Sequence, residues 1–250
     1  VKKIYGDEKM QLSKRLQAVA DMVTFGSRVA DIGCDHAYTA IYLLTNGISP
    51  YVVAMDVNQG PLDRARKNIE RYGVVDKVSI RKSDGLKMLN SGEVDTILIA
   101  GMGARLMVQI LTSRLDIVAS VNELVLQPQS EIHLVRKTVK ELGYLIIKEN
   151  MVKEDGKYYV ILKIACNKQN LNSDEYQLIK PEHIYFGRLL LEEKNPVLLD
   201  YLHAEMHKHQ KLYHELSAQP TNQSVMRQNE IAEMLRLIDQ AISCYEEEIG

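Results

Sequence analysis

Five short stretches that could do chemistry each follow an apolar run in the first half of the chain. They are Asp31-Ile-Gly33-Cys-Asp35-His36-Ala-Tyr38, Asp56-Val57, Ser83-Asp84-Gly85, Ala100-Gly101-Met102-Gly103 and Gln127-Pro128-Gln129. In an open α/β sheet, ligands bind beyond the carboxyl ends of the strands, near the point where strand order reverses. A dinucleotide site there would need G-x-G-x-x-G, with glycines that admit a pyrophosphate to a helix N-terminus. Only Gly33 is present, which argues against a nicotinamide or flavin enzyme. The D-x-G pattern suits S-adenosylmethionine, which has no phosphates. Its sulfonium and amino group favour carboxylates, and Asp31 and Asp35 can supply them. Asp56 stands 23 residues beyond Gly33 and can accept from both ribose hydroxyls, with Val57 beside it. Asp84 can accept from an adenine amino group, and Gly85 leaves room for the base. Gly101 and Gly103 permit close backbone approach to the methionine part or to a target base. Taken singly, such residues are more often caps and turns than ligands. Their recurrence in order, at the same end of five successive strands, is the stronger signal.

The elements that must position them follow from periodicity. Helical spacing covers Leu12–Val23, with Ser13 a candidate cap, then Ala37–Leu44, Pro61–Tyr72, Leu106–Leu111 and Glu131–Leu142, the last ended by Gly143. Strand-like runs cover Arg28–Ile32, Tyr51–Asp56, Val78–Arg81, Val94–Ala100 and Glu123–Gln127. Tyr144–Lys148 and Tyr158–Ile164, separated by a turn containing EDGK, predict an antiparallel edge. Alternation of strands and helices predicts an α/β, Rossmann-like domain with a mostly parallel sheet covered on both faces.

The remainder has a different pattern. Leu199, Leu202, Met206, His209, Tyr213 and Leu216 recur at spacings of three and four, as do Ile231, Leu235, Ile238, Ile242, Tyr245 and Ile249. A breaker, AQPTNQS (218–224), lies between them, so the spacing predicts an antiparallel helical hairpin of coiled-coil type. The stripes are core packing, and His209 within one is a packed or partly wet histidine. Residues 1–166 are expected to form the first domain and residues 167–250 the second, with the polar stretch 167–175 at the boundary. The net charge of −2 conceals a difference between them. The first has 23 Lys and Arg against 19 Asp and Glu; the second has eight against 14. Lys14, Arg15, Arg28, Arg105, Arg136 and Lys157 are candidates to hold a nucleic-acid backbone, and Lys208, Lys211 and Arg227 a local basic edge on the hairpin. No apolar run approaches the roughly 18 residues of a membrane span. VKKIYGDEKMQ lacks the apolar centre of a signal peptide, so a cytoplasmic protein is expected. Cys34, Cys166 and Cys244 form no CxxC pair, so neither a disulfide framework nor a metal site is expected.

DIGCDHAY (31–38), AMDV (54–57), IAGMGA (99–104), LQPQ (126–129) and GKYY (156–159) resemble the bacterial tRNA (adenine-22-N1)-methyltransferase family, TrmK, as does MQLSKRLQAVADMV (10–23). The resemblance runs from about Met10 into the helical hairpin. It implies a class I methyltransferase domain with a C-terminal coiled-coil domain, S-adenosylmethionine as donor and tRNA as acceptor. Cofactor contacts are then expected from Asp31, Gly33, His36, Asp56, Val57, Asp84, Gly85 and Gly101. The target-base pocket is expected from Met102, Gly103, Gln127 and Pro128, with Asp35 and Tyr38 near the reacting centre. A monomer is favoured. The chain departs from the family pattern at Cys34 (serine expected), Ala104 (glycine), Gln129 (asparagine) and GKYYV (GKFYE). Residues 1–9 precede the family's usual start. Two other classes fit the residues alone: a methyltransferase acting on a small molecule or protein, and a non-catalytic RNA-binding protein. Fold does not choose between acceptors.

Overall fold

The computed structural model describes residues 10–167, 177–217 and 222–246, and the chain divides into two compact units, Val1–Tyr176 and Gln177–Gly250. Apart from Asn167, the expected boundary stretch lies outside the described residues, as do residues 1–9 and 218–221 of the expected breaker.

The first unit is built on one seven-stranded sheet of order β3-β2-β1-β4-β5-β7-β6. Its strands are β1 (Val29–Ile32), β2 (Val52–Asp56), β3 (Val78–Lys82), β4 (Thr96–Met102), β5 (Glu123–Pro128), β6 (Leu145–Glu154) and β7 (Lys157–Ala165). The first five are parallel, and β7 pairs antiparallel with both β5 and β6. Every residue of VADI in β1 and ELVLQP in β5 is buried, as expected of strands covered on both faces. β1 is followed by β2 on one side and flanked by β4 on the other, so the strand order reverses there, the switch point at whose carboxyl ends open α/β sheets bind ligands. β6 and β7 meet through Asp155 (φ 49) and Gly156 (φ 73), both left-handed, the geometry of a tight two-residue hairpin turn.

Helices α1 (Lys14–Ala20), α2 (Tyr38–Thr45), α3 (Gln59–Arg71), α4 (Ala104–Ser113), α5 (Leu115–Val118) and α6 (Ile132–Glu141) complete this unit. Ser13 caps α1 by accepting from the Leu16 N–H at 3.3 Å. α1 is shorter than the spacing predicts, because the chain turns at Asp21 and Met22 instead of continuing helical to Val23. β4 is displaced relative to expectation. It starts at Thr96 and runs on through Gly101 and Met102, which were expected to lie beyond it.

The second unit contains a π-helical turn (His183–Gly187), α7 (Arg188–Glu192), α8 (Pro196–Ser217) and α9 (Asn222–Glu246). Asn195 starts α8: its side-chain oxygen accepts from Val197 N at 3.0 Å and Leu198 N at 3.1 Å, with Pro196 at the first helical position. Tyr245, near the end of α9, donates its hydroxyl to the Asn195 carbonyl at 2.9 Å. The end of α9 thus returns to the start of α8, which makes the pair an antiparallel hairpin. Leu202, Ile231 and Ile238 of the two stripes are buried. His209 is half-buried, with Nδ1 2.8 Å from the Glu205 carbonyl oxygen.

Candidate active site

The loop after β1 is tightly folded. Gly33 and Cys34 both donate their N–H groups to the Met55 carbonyl of β2, at 2.8 and 3.0 Å. Gly33 has φ +76, and a Cβ there would collide with Met102 Cε. Asp35 (φ 41) and Ala37 (φ 58) are also left-handed. For side-chain-bearing residues this costs about 1–2 kcal/mol each, the kind of strain that accumulates at ligand sites. The Asp35 carboxylate accepts from Arg64 Nη2 of α3 at 2.6 Å. The His36 ring stacks on Tyr38, with centroids 5.3 Å apart and planes 4° from parallel. Asn68 holds the backbone below them by donating to the His36 carbonyl at 2.9 Å. Cys34 is buried, and that burial, together with the negative charge of Asp31, pushes its thiol up, so it is no nucleophile.

Asp31 is buried inside β1, not beyond it. Burial, and secondarily the neighbouring carboxylate of Asp56, pushes its pKa up to about 7. Asp56 closes β2, is half-buried, and accepts from the Asn58 N–H at 2.9 Å. Val57 beside it is exposed. Asp84, past β3 and two strands away from β1, is exposed and paired with Lys87 at 2.6 Å. Gly85 does not leave the expected room for a base on its Cβ side. A Cβ there would meet Ile110 of α4 at 3.1 Å, so packing and a φ of +57 explain the glycine.

At the other side of the switch point the pairing of β4 with β5 shifts between Ala100 and Met102, leaving Gly101 (φ +78) as a bulge. Its N–H donates to Gln127 Oε1 at 3.1 Å. That oxygen also accepts from Arg15 Nη1 of α1 at 2.7 Å, while Gln127 Nε2 donates to the Pro128 carbonyl at 3.0 Å. Gln127 is completely buried. Gln129, which is exposed, donates its backbone N–H to the Met102 carbonyl at 2.9 Å. Gly103 precedes α4, and a Cβ on it would lie 3.5 Å from Ser130 Oγ.

The candidate cations separate by environment. Arg136 is a correction: its side chain is 1% exposed and bound to Glu149 at 2.9 Å, so it cannot meet a phosphate. Arg28 is gripped by both carboxylate oxygens of Asp95. Arg15 is half-buried and turned inward, its guanidinium carbon 5.6 Å from the Tyr159 ring centre. Lys14 and Lys157 are exposed. Arg105 is also exposed, at 80%, although paired with Glu131. In the second unit Lys208, Lys211 and Arg227 each pair with a glutamate three or four residues away on the same helix.

The sheet therefore brings Asp31, Gly33, Asp56, Gly101, Met102 and Gln127 to adjoining strand ends, with Asp35 and His36 on the loop after β1 and Tyr38 at the start of α2. Asp84 and Gly85 stand farther out. Arg64 and Asn68 also belong to this region, although they lie in none of the strand-end segments, as does Tyr159 of the GKYY segment. Arg64 and Asn68 lie four residues apart on the helix after Asp56, a spacing that puts both on one face toward the preceding loop.

A methyltransferase-domain family model matches residues 12–162. The chain is 33% identical over 235 residues to the tRNA (adenine(22)-N(1))-methyltransferase of Bacillus subtilis, covering 94% of this chain and 98% of that protein. The crystal structure of B. subtilis tRNA methyltransferase TrmK superposes with a TM-score of 0.83 at 32% identity, over 94% of this chain and all of that one. Streptococcus pneumoniae Sp1610 in complex with S-adenosyl-L-methionine gives 0.78 at 30% identity, over 93% and 100%. Mycoplasma capricolum TrmK with S-adenosyl-homocysteine gives 0.81 at 28% identity, over 95% and 100%.

Proposed function

Because the chain belongs to the bacterial tRNA (adenine-22-N1)-methyltransferase family, we propose that it transfers the methyl group of S-adenosylmethionine to N1 of adenine 22 in tRNA. The observation that carries this reading is the gathering of the family-like segments DHAY, AGMG and LQP at the carboxyl ends of the adjoining strands β1, β4 and β5, in a chain whose likeness to the B. subtilis enzyme spans both units.

The residues suit the cofactor. Asp31 is buried beside the carboxylate of Asp56, which opposes its ionisation, and a cation there relieves both burdens on Asp31. Glycines with positive φ at 33 and 101 let β1 and β4 end in tight backbone, with Met102 packed against Gly33. When bound, S-adenosylmethionine supplies a methyl group activated by its positive sulfur. Adenine N1 has its own lone pair, so no residue need remove a proton for the attack. Asp56 suits the ribose hydroxyls, and Asp31 and the loop after β1 suit the cationic methionine end. Met102, Gly103 and Pro128 line the approach of the target base, and Asp35 and Tyr38 stand at its mouth. The methylated base is cationic until its amino group loses a proton, so the Asp35 carboxylate at the mouth, although shared with Arg64, favours the developing charge. N1 lies on the base-pairing edge, so the nucleotide must leave its stack to reach these residues. The likeness to tRNA methyltransferases supports tRNA as the partner and, with it, a protein acting in the cytoplasm.

Asp31 makes cofactor binding pH-dependent. Below about pH 7 it is largely protonated and offers no charge to a cation. Affinity for S-adenosylmethionine is expected to rise about tenfold at most between pH 6 and 8, with proton release that calorimetry in two buffers measures. For the unliganded fold the sign is opposite. The pKa is raised above its unfolded value, so this group's contribution to stability is present at low pH and is lost as pH rises through about 7.

The function is tested by incubating the protein with unmodified tRNA and labelled S-adenosylmethionine and locating the methyl group by mass spectrometry. Methyl on N1 of adenine 22, and none on a tRNA with guanine at that position, is the expected result. Equal methylation of both would refute the site assignment.

A further inference from the structure

We infer that Arg15 is a positioning residue for the methyl-transfer site, acting through Gln127 on the bulge that a target base must pass. The inference rests on the methyl-transfer reading and adds to it a residue that acts through the side chain of Gln127.

The bulge at Gly101 has no cross-strand partner residue, so its N–H must be satisfied from elsewhere. Gln127 Oε1 does this at 3.1 Å. A buried carboxamide can rotate to exchange its oxygen and nitrogen, which would turn an N–H donor toward the Gly101 N–H. Arg15 Nη1, at 2.7 Å from the same oxygen, opposes that exchange, because a guanidinium donates and never accepts. Gln127 Nε2 is thereby directed to the Pro128 carbonyl at 3.0 Å. One guanidinium thus fixes β4 and β5 at their carboxyl ends, on both sides of the approach to Met102.

Arg15 is itself held. α1 is anchored at its start by Glu154 at the end of β6, whose Oε1 accepts from the Lys14 N–H at 2.5 Å. The guanidinium carbon lies 5.6 Å from the centre of the Tyr159 ring. The hairpin formed by β6 and β7 therefore sets α1, α1 sets Arg15, and Arg15 sets the bulge. An arginine that grips phosphate would instead point outward, as Arg105 does.

Steady-state methylation of tRNA by the full chain and by Arg15→Gln, Arg15→Lys, Gln127→Leu and the Arg15→Gln/Gln127→Leu double variant tests this. For Arg15→Gln we expect kcat to fall about ten- to a hundredfold, with affinity for S-adenosylmethionine held within about twofold. The double variant is expected to lose no more than the worse single variant, since both act on one bulge. Arg15→Lys restores charge but not the planar fork of donors that reaches Gln127 beside Tyr159, so kcat should stay below wild type. A phosphate contact would give another pattern: kcat kept, KM for tRNA raised, a salt dependence shallower by about one contact, and rescue by lysine. That pattern, or additive losses, overturns the inference. So does an equal fall in cofactor affinity and thermal midpoint, which marks a merely structural role. A wild-type chain that leaves adenine 22 unmethylated removes the underlying reading and the inference with it. A wild-type chain that methylates while Arg15→Gln keeps pace overturns the inference alone.

Discussion

Asp56→Ala is expected to weaken S-adenosylmethionine binding by about 1.5–3 kcal/mol, roughly ten- to 150-fold, while the protein stays folded. The carboxylate ends β2 at the switch point, where two vicinal hydroxyls of a ribose can both donate to it. Hydrogen bonds to a charged acceptor are the stronger kind, and alanine leaves none. The fold loses little, because the carboxylate's bond within the protein is to the exposed Asn58 turn at 2.9 Å. The substitution has a second effect. Asp56 is one of the two causes that raise Asp31, so its removal lowers the Asp31 pKa toward the value set by burial. The rise of affinity between pH 6 and 8 should therefore move to lower pH in the variant. Calorimetric titration across that range measures both effects, and unchanged affinity at pH 8 would take Asp56 out of the site.

What the sequence made legible was whatever is encoded by local periodicity. Apolar runs such as YVVAMD and ELVLQ mark buried parallel strands, because a strand covered on both faces needs apolar residues at every position. The row of strand-end segments then follows from chain order alone. The antiparallel edge was legible too, since a two-residue turn containing Asp-Gly has a specific backbone demand. Long-range polar pairing was not legible. Gln127 reads as a residue of the substrate loop, yet it is completely buried and its oxygen is taken by Arg15, 112 residues earlier, and by Gly101. Arg28 reads as a surface cation but is fixed by Asp95. Glu123 begins β5 buried, with Lys163 at 3.0 Å and Thr96 at 2.9 Å. No spacing rule connects such partners, because strand order and register decide which side chains meet. The basic balance of the first half is likewise not a basic coat, since several of its cations are used internally.

Arg136 shows the consequence most sharply. Glu149→Ala is expected to destabilise the first unit by about 3–5 kcal/mol, the cost of leaving a buried charge without its counterion. Both side chains are 1% exposed and Arg136 Nε lies 2.9 Å from Glu149 Oε1. A domain's whole stability is only about 5–15 kcal/mol, so the variant approaches the limit of folding. For a unit of this size the thermal midpoint should fall by roughly 6–20 °C. The pair joins α6 to β6, and α6 begins three residues after Gln129, so it also secures the helix that follows the substrate loop. A buried pair need not be better than an apolar one. Arg136→Met with Glu149→Leu should recover much of the loss, because neither charge then needs desolvating. Thermal denaturation of the two variants separates this role from the one the composition suggested. An arginine that grips RNA would lower tRNA affinity when replaced and leave the midpoint in place. A Glu149→Ala protein with an unchanged midpoint would return Arg136 to the RNA-facing surface.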